Sequence, residues 1–167
     1  MKKLWAPWRI DYIKGERAQG CVFCDKPKLS RDRENLILYR GETGYIIMNR
    51  YPYANGHLIA LPYRHIDSFG ELEEKEKLEL MNLINLGVDV LRAFDPDGYN
   101  VGMNLGRAAG AGIEDHLHFH VVPRWVGDSN FMPVIADVKV IPEYLEESYV
   151  KLDGALQSLL KERRGQI

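Results

Sequence analysis

The sequence predicts an α+β domain in which an antiparallel sheet carries one long helix, and three observations support this class. Short apolar runs bounded by turn residues predict strands, at 35–40, 44–49, 57–61, 99–104 and 116–124. Between the third and fourth runs, residues 73–94 place apolar side chains at three- and four-residue spacing, which predicts a core-facing helix. Strands interrupted by one helix are typical of α+β domains.

The remaining segments have simpler interpretations. Residues 1–34 combine Trp, Pro, Gly and both cysteines, which predicts an irregular N-terminal arm with a cysteine knuckle. Gly41 lies in a predicted hairpin turn, and Pro142 is placed to open a C-terminal helix at 143–167. No repeat or linker divides the chain, so we expect a single domain over residues 1–167.

The composition argues against two classes of partner. The 167 residues have a formal net charge of -2 and no long charged block, so nothing predicts binding to duplex nucleic acid. The chain lacks an apolar run of about 18 residues, so no membrane association is expected. The basic N-terminus has no apolar segment behind it, which indicates a cytoplasmic protein rather than a secreted one.

Three of the five histidines occupy alternate positions, at His116, His118 and His120. Side chains two residues apart on a strand share a face, so the three imidazoles should line one face while the intervening apolar residues anchor the strand. A purely structural polar face is disfavoured, because a core rarely tolerates three adjacent imidazoles. A metal site and nucleophilic catalysis both fit the spacing.

The loop before the histidines favours catalysis over a purely structural metal site. It contains Gly106, Gly110 and Gly112, and glycine-rich backbone turns its N–H groups toward anions. An anion beside a histidine indicates phosphoryl or nucleotidyl transfer.

The pair Cys21 and Cys24 has C-x-x-C spacing, which is typical of a redox pair, half of a metal site, or an incidental pair.

Two blocks resemble the histidine triad (HIT) family. The segment from His116 to Val122 resembles the family signature of alternating histidine and apolar residues. The segment from Asn49 to Pro62 resembles its second block, a short loop followed by Gly-His and a buried strand. The resemblance implies a HIT-like fold, a five-stranded antiparallel sheet with a long helix, and a homodimer with one continuous sheet. It also implies that the protein binds nucleotides.

The resemblance assigns roles to individual residues. It makes His118 the nucleophile that forms a nucleotidyl-histidine, with His120, His116 and His57 as its supporting catalytic histidines. It places Asn49 on the ribose and Asn104 on the phosphate. The family often has Gln where this chain has Gly112, so backbone N–H groups of the loop would bind nucleotide instead, at Gly110, Ala111, Gly112 and Ile113.

The segments around Trp5 and Trp125 resemble the bacterial diadenosine tetraphosphate phosphorylase-like branch of the family. That branch implies phosphorolysis of diadenosine tetraphosphate to ATP and ADP, with inorganic phosphate as the acceptor. A dinucleoside polyphosphate hydrolase and a nucleoside phosphoramidase stay open as alternatives, and so does a nucleotide-binding protein with little catalysis.

The family resemblance also suggests how the cysteine pair is completed. In HIT proteins with such a knuckle, the histidine after the Gly-His strand and the first triad histidine complete a zinc site. Here these residues would be His65 and His116, beside Cys21 and Cys24. The expected zinc is structural, and no cofactor is expected for the chemistry itself.

Overall fold

A computed structural model describes residues 20–128 and 141–165. Its centre is a five-stranded sheet in the order β1-β2-β3-β5-β4, in which every neighbouring pair is antiparallel. The strands are β1 Ile37–Arg40, β2 Gly44–Met48, β3 Leu58–Pro62, β4 Gly98–Gly102 and β5 Phe119–Arg124.

The described α-helices are α1 Val22–Asp25, α2 Asp32–Asn35, α3 Glu74–Leu91 and α4 Leu145–Gly165. Short 3-10 helices occur at Lys26–Lys28, Phe69–Glu71, Arg92–Phe94 and Arg107–Ala109. No described helix combines the length and the apolar character that a membrane span requires.

The main core lies between the sheet and α3. Gly87 of α3 lies against Leu58 and Val121, so the helix approaches β3 and β5 closely. Buried Leu152 and Leu156 of α4 belong to the same core. Because strand side chains alternate, Val121 toward α3 places His120 on the opposite face. That face carries the candidate site.

The predicted fold class is confirmed, and the differences lie at the element ends. Residues 20–35 contain two short helices, α1 and α2, where an irregular arm was predicted. The C-terminal helix begins at Leu145 rather than at 143. The prediction for the arm over 1–19 lies outside the described residues.

The largest shift concerns β5, which was predicted from His116 and begins at Phe119. Leu117 donates its main-chain N–H to Ile66 O at 2.6 Å, outside the strand ladder. The Pro62 carbonyl accepts from His116 Nε2 at 3.0 Å. The His116 side chain therefore occupies the Pro62 carbonyl at the end of β3, where a main-chain N–H of β5 would otherwise bond. The regular ladder of β5 starts three residues later than predicted.

Candidate active site and metal cluster

His118 is held in one tautomer by the main chain. Its Nδ1 lies 2.7 Å from the His116 carbonyl oxygen, and because a carbonyl only accepts, Nδ1 carries the proton. The lone pair is therefore on Nε2. Burial lowers the pKa of His118, partly opposed by this hydrogen bond. The imidazole is thus a neutral nucleophile with a defined attacking atom.

His57 and His120 form a hydrogen-bonded chain that also starts at the main chain. Tyr53 N–H donates to His57 Nδ1 at 3.0 Å, so His57 Nε2 carries the proton and donates to His120 Nδ1 at 2.9 Å. The proton of neutral His120 is therefore on Nε2. Burial, and secondly the neighbouring His118, lower the pKa of His120 to about 4, which keeps its ring neutral.

The N–H group at His120 Nε2 has no hydrogen-bond acceptor among the described residues. Among the described residues, it is the only buried side-chain nitrogen or oxygen with no hydrogen-bond partner. The rings of His118 and His120 are 5.0 Å apart and nearly perpendicular. The lone pair of His118 and the N–H donor of His120 thus belong to neighbouring rings, which suits attack on phosphorus beside a stabilised phosphate oxygen.

Asn49 lies at the end of β2, next to this chain of histidines. Its Nδ2 is 3.3 Å from His57 Nδ1, and its Oδ1 accepts from Tyr51 N–H at 2.9 Å. The carboxamide keeps a second proton and a second lone pair for a ligand. The structure therefore places the predicted ribose residue beside the histidines and adds a positioning role that the sequence did not indicate.

The loop from Tyr51 to Gly56 is held by two sets of contacts, one to the histidine rings and one to residues at the start of α4. The ring of Tyr53 lies 4.6 Å from the ring of His57 and 5.3 Å from that of His120. Asn55 donates to Glu143 Oε2 at 3.0 Å and accepts from Ser148 Oγ at 3.1 Å. Glu143, just before α4, and Ser148, in its first turn, thereby support the loop that fixes the His57 tautomer.

The glycine-rich loop leads directly from β4 into the histidines. Gly106 and Gly110 have φ of 77° and 89°, which glycine adopts without strain. The turn closes through Gly110 N–H to Arg107 O at 3.0 Å. Within the described part of the chain, the Asn104 side chain makes no hydrogen bond, and a ligand can use it. Ile113 packs against the core, which anchors the loop.

A second cluster brings together the four predicted metal ligands. The nearest ligand atoms of Cys21, Cys24, His65 and His116 all lie within 4.8 Å of one another. His116 Nδ1 lies 3.3 Å from Cys21 Sγ and 3.4 Å from Cys24 Sγ. His65 Nδ1 lies 3.4 Å from Cys24 Sγ.

These residues fit a tetrahedral zinc ion. Zinc bonds of about 2.0–2.3 Å separate tetrahedral ligand atoms by about 3.5 Å, close to the observed spacing. Both histidines turn Nδ1 inward and Nε2 outward, to Pro62 O at 3.0 Å and to Asp115 Oδ2 at 3.7 Å. Outward partners of this kind are usual for metal-binding histidines. Burial, and then Cys21, raise the pKa of Cys24 to about 11, so its thiol needs a cation to ionise.

A cavity of about 630 Å³ lies between the loop after β2 and the start of α4 and was not predicted. Arg50, Tyr51 and Pro52 line it from the loop, and Tyr144 and Tyr149 line it from the α4 side. The predicted nucleotide residues do not line it.

Three other contributors to the site were also missed from the sequence. Tyr53 and Pro62 act through main-chain groups, and Phe23 has the pattern of an ordinary core residue.

The comparisons with known proteins agree with this geometry. A family model described as HIT domain matches residues 30–126. The chain is 38% identical to AP-4-A phosphorylase of Mycobacterium tuberculosis over 158 residues, which cover 89% of this chain and 80% of that protein.

Two further relatives differ in what their names describe. The adenosine 5'-monophosphoramidase of Schizosaccharomyces pombe is 29% identical over 105 residues, 63% of this chain and 74% of that protein. The crystal structure of a Zn-bound histidine triad family protein from Mycobacterium smegmatis has a TM-score of 0.66 at 25% identity, over 86% of this chain and 97% of that one.

Proposed function

Because the chain belongs to the histidine triad (HIT) family and is an enzyme of that family, we propose that it transfers a nucleoside monophosphate from dinucleoside polyphosphates onto His118. The preferred reaction is phosphorolysis of diadenosine tetraphosphate to ATP and ADP. One observation carries the proposal: the ring of His118, with its lone pair on Nε2, lies 5.0 Å from the ring of His120, whose Nε2 has no partner among the described residues. The identity to an AP-4-A phosphorylase supports the choice of substrate.

In the first step, the lone pair of His118 Nε2 forms an N–P bond to the α-phosphate. The P–O bond to the polyphosphate breaks, and its electron pair leaves with the oxygen of ATP. The positive charge on the imidazole is stabilised through Nδ1–H and the His116 carbonyl. His120 Nε2–H donates to a phosphate oxygen, where a preorganised donor stabilises the developing charge.

In the second step, an oxygen of inorganic phosphate attacks the same phosphorus. The P–N bond breaks, its electron pair returns to His118 Nε2, and ADP leaves. The acceptor decides the class of enzyme: with water in place of phosphate, the product would be AMP and the enzyme a hydrolase.

Nucleotide contacts follow from the residues around the histidines. Asn49 hydrogen-bonds the ribose with its free proton and lone pair, and Asn104 contacts the phosphates. The main-chain N–H groups of the glycine-rich loop bind phosphate oxygens, at Gly110, Ala111, Gly112 and Ile113. This assignment rests on the loop leading directly into His116 and on its left-handed glycines.

Cys21, Cys24, His65 and His116 hold a structural zinc ion in this proposal. The spacing of their ligand atoms supports it, as does a Zn-bound relative of the same fold. Bound zinc would link the N-terminal knuckle to the histidine segment and supply no chemistry to the reaction. His116 therefore serves the site through its main-chain carbonyl while its ring serves the metal.

The working unit in this proposal is a cytoplasmic homodimer formed through β4. Within residues 20–128 and 141–165, this strand is an edge of the sheet, and Val101 on it is 47% exposed. An uncovered edge strand pairs readily with a second copy, which would extend the sheet across the dimer.

The test is a product assay with diadenosine tetraphosphate in the presence and absence of phosphate. ATP and ADP formed only with phosphate would support the proposal, whereas AMP formed without phosphate would make the enzyme a hydrolase. Efficient release of AMP from adenosine phosphoramidate alone would favour the phosphoramidase. Nucleotide binding without cleavage would mean a binding protein.

A variant tests the nucleophile itself. His118→Asn should lose at least about 10³-fold in kcat, since no covalent intermediate forms, with little change in unfolding temperature. Mass spectrometry of acid-sensitive nucleotidylated protein after a brief reaction should show the adduct in the wild type and not in the variant. Full activity of His118→Asn would refute the assignment.

A further inference from the structure

The turn that carries both cysteines also carries a residue that contacts the nucleophile. Phe23 lies between Cys21 and Cys24 and is buried. Its ring is 5.1 Å from the ring of His118 and 5.6 Å from that of His116. Its carbonyl accepts from the buried Tyr45 hydroxyl at 2.6 Å, which ties the turn to β2. A movement of the cysteines would therefore also move the Phe23 ring that packs against His118.

His116 makes a second connection between the cluster and the nucleophile. Its ring Nδ1 faces both cysteine sulfurs at 3.3 and 3.4 Å. Its main-chain oxygen accepts the proton of His118 Nδ1 at 2.7 Å, which sets the His118 tautomer. A rotation of the His116 ring that pulls on its backbone changes the hydrogen bond that aims His118 Nε2.

We propose that the cluster of Cys21, Cys24, His65 and His116 is a positioning device for His118, so that its occupancy by zinc sets the rate of nucleotidyl transfer as well as the stability of the fold. This inference rests on the proposed function, because it concerns the nucleophile of that reaction. The reasoning is geometric: misplacement of a reacting atom by about 1 Å costs about 100-fold in rate. One support of His118 is a cluster residue, His116, and the other, Phe23, lies on the turn between the two cluster cysteines.

His65 offers the cleanest way to disturb the cluster alone. Its side chain is 47% exposed, and its partners are Cys24, Asp115 and the His116 ring. His65→Asn should weaken zinc binding and slow single-turnover nucleotidylation of His118 by about 10- to 100-fold, as for lost outer support of a reacting group. His65→Cys restores a zinc ligand and should recover both properties in part.

The readout that separates positioning from stability is the ¹⁵N spectrum of His118. With zinc bound, His118 should show a single tautomer with its proton on Nδ1. Treating the wild type with a chelator should shift these resonances toward a tautomer mixture and slow nucleotidylation, and added zinc should reverse both changes.

Two variants control the interpretation. Phe23→Leu keeps the four ligands and an apolar side chain, so zinc affinity should be retained while nucleotidylation slows. Leu156→Ala lowers stability in the core at α4, away from the cluster, so its nucleotidylation rate should match that of the wild type at a temperature where both are folded.

The inference is overturned if zinc removal lowers the unfolding temperature but leaves the His118 resonances and the single-turnover rate unchanged. It is equally overturned if the wild type binds no zinc. Failure of the proposed function looks different: the zinc-loaded wild type would then form no adduct on His118 at all.

Discussion

At the residue scale, main-chain partners give each histidine one chemical character. The His116 carbonyl leaves the lone pair of His118 on Nε2, and Tyr53 N–H, acting through His57, makes His120 Nε2 a donor. The direction of donation along Tyr53, His57 and His120 cannot reverse, because a main-chain N–H never accepts. His57 therefore connects the Tyr53 N–H to His120 and determines which His120 nitrogen carries the proton.

This role predicts the effect of removing the His57 ring. His57→Ala removes the acceptor of the Tyr53 N–H hydrogen bond and the donor to His120 Nδ1, which should cost about 1–3 kcal/mol of stability. It also lets His120 change tautomer, so kcat should fall by about 100-fold with a smaller change in KM. Steady-state kinetics and denaturant unfolding measure the two effects. His57→Gln, whose amide both accepts and donates, should lose less; equal activity of His57→Ala and wild type would contradict the role.

At the element scale, the start of α3 is held by a buried carboxylate. Glu76 accepts from Arg64 through both oxygens at 2.7 Å and from Glu73 N–H at 2.8 Å. The hydrogen bond from Arg64, rather than burial, determines the direction in which the pKa of Glu76 moves, which is downward. A lowered pKa means that Glu76 stabilises the fold above the pKa of an unfolded Glu, about 4.3, and that this contribution is lost as the pH falls through the folded value.

We therefore expect a pH-dependent cost for Glu76→Gln. At neutral pH the variant should lose about 1–2 kcal/mol of unfolding free energy, given that Arg64 is half exposed. The difference from the wild type should shrink as the pH falls below the pKa of an unfolded Glu and through the lower pKa of folded Glu76, because the wild-type carboxylate then becomes protonated as well. Urea unfolding at several pH values measures it. Glu74→Gln, an exposed change in the same turn, should show no such closing gap.

The same scale shows how far sequence patterns reach. Apolar periodicity predicts all five strands and α3 to within a few residues, because burial of one face determines those elements. It misplaces the start of β5, since Leu117 and Pro62 form hydrogen bonds with distant partners. Such bonds depend on which segments meet in space, and no local pattern records that.

Site prediction fails for a related reason. Histidine and cysteine side chains carry rare chemistry, so His118 and Cys21 are conspicuous in the sequence. Tyr53 and Pro62 contribute a main-chain N–H and a C=O, groups that almost every residue has, and nothing in their side chains marks them. The roles of the predicted site residues stay predictions until the variants are measured.

At the scale of the whole molecule, the open edge at β4 predicts the oligomeric state. Val101→Lys places a charge on the edge strand and should prevent pairing with a second copy. Sedimentation should show the mass of a dimer for the wild type and of a monomer for the variant. Val150→Lys, the same substitution at an exposed valine of α4, should stay dimeric. A monomeric wild type would contradict the proposed assembly.

The contact between Asn55 and the first turn of α4 has a consequence for protein synthesis. Asn55 forms hydrogen bonds with Glu143 and Ser148, which lie about ninety residues later in the chain. A ribosome-bound chain that already contains every histidine still lacks the support that holds the Tyr53 loop. Since chains emerge from the N-terminus onward, we expect the proposed nucleotidyl transfer to begin only after α4 has left the ribosome.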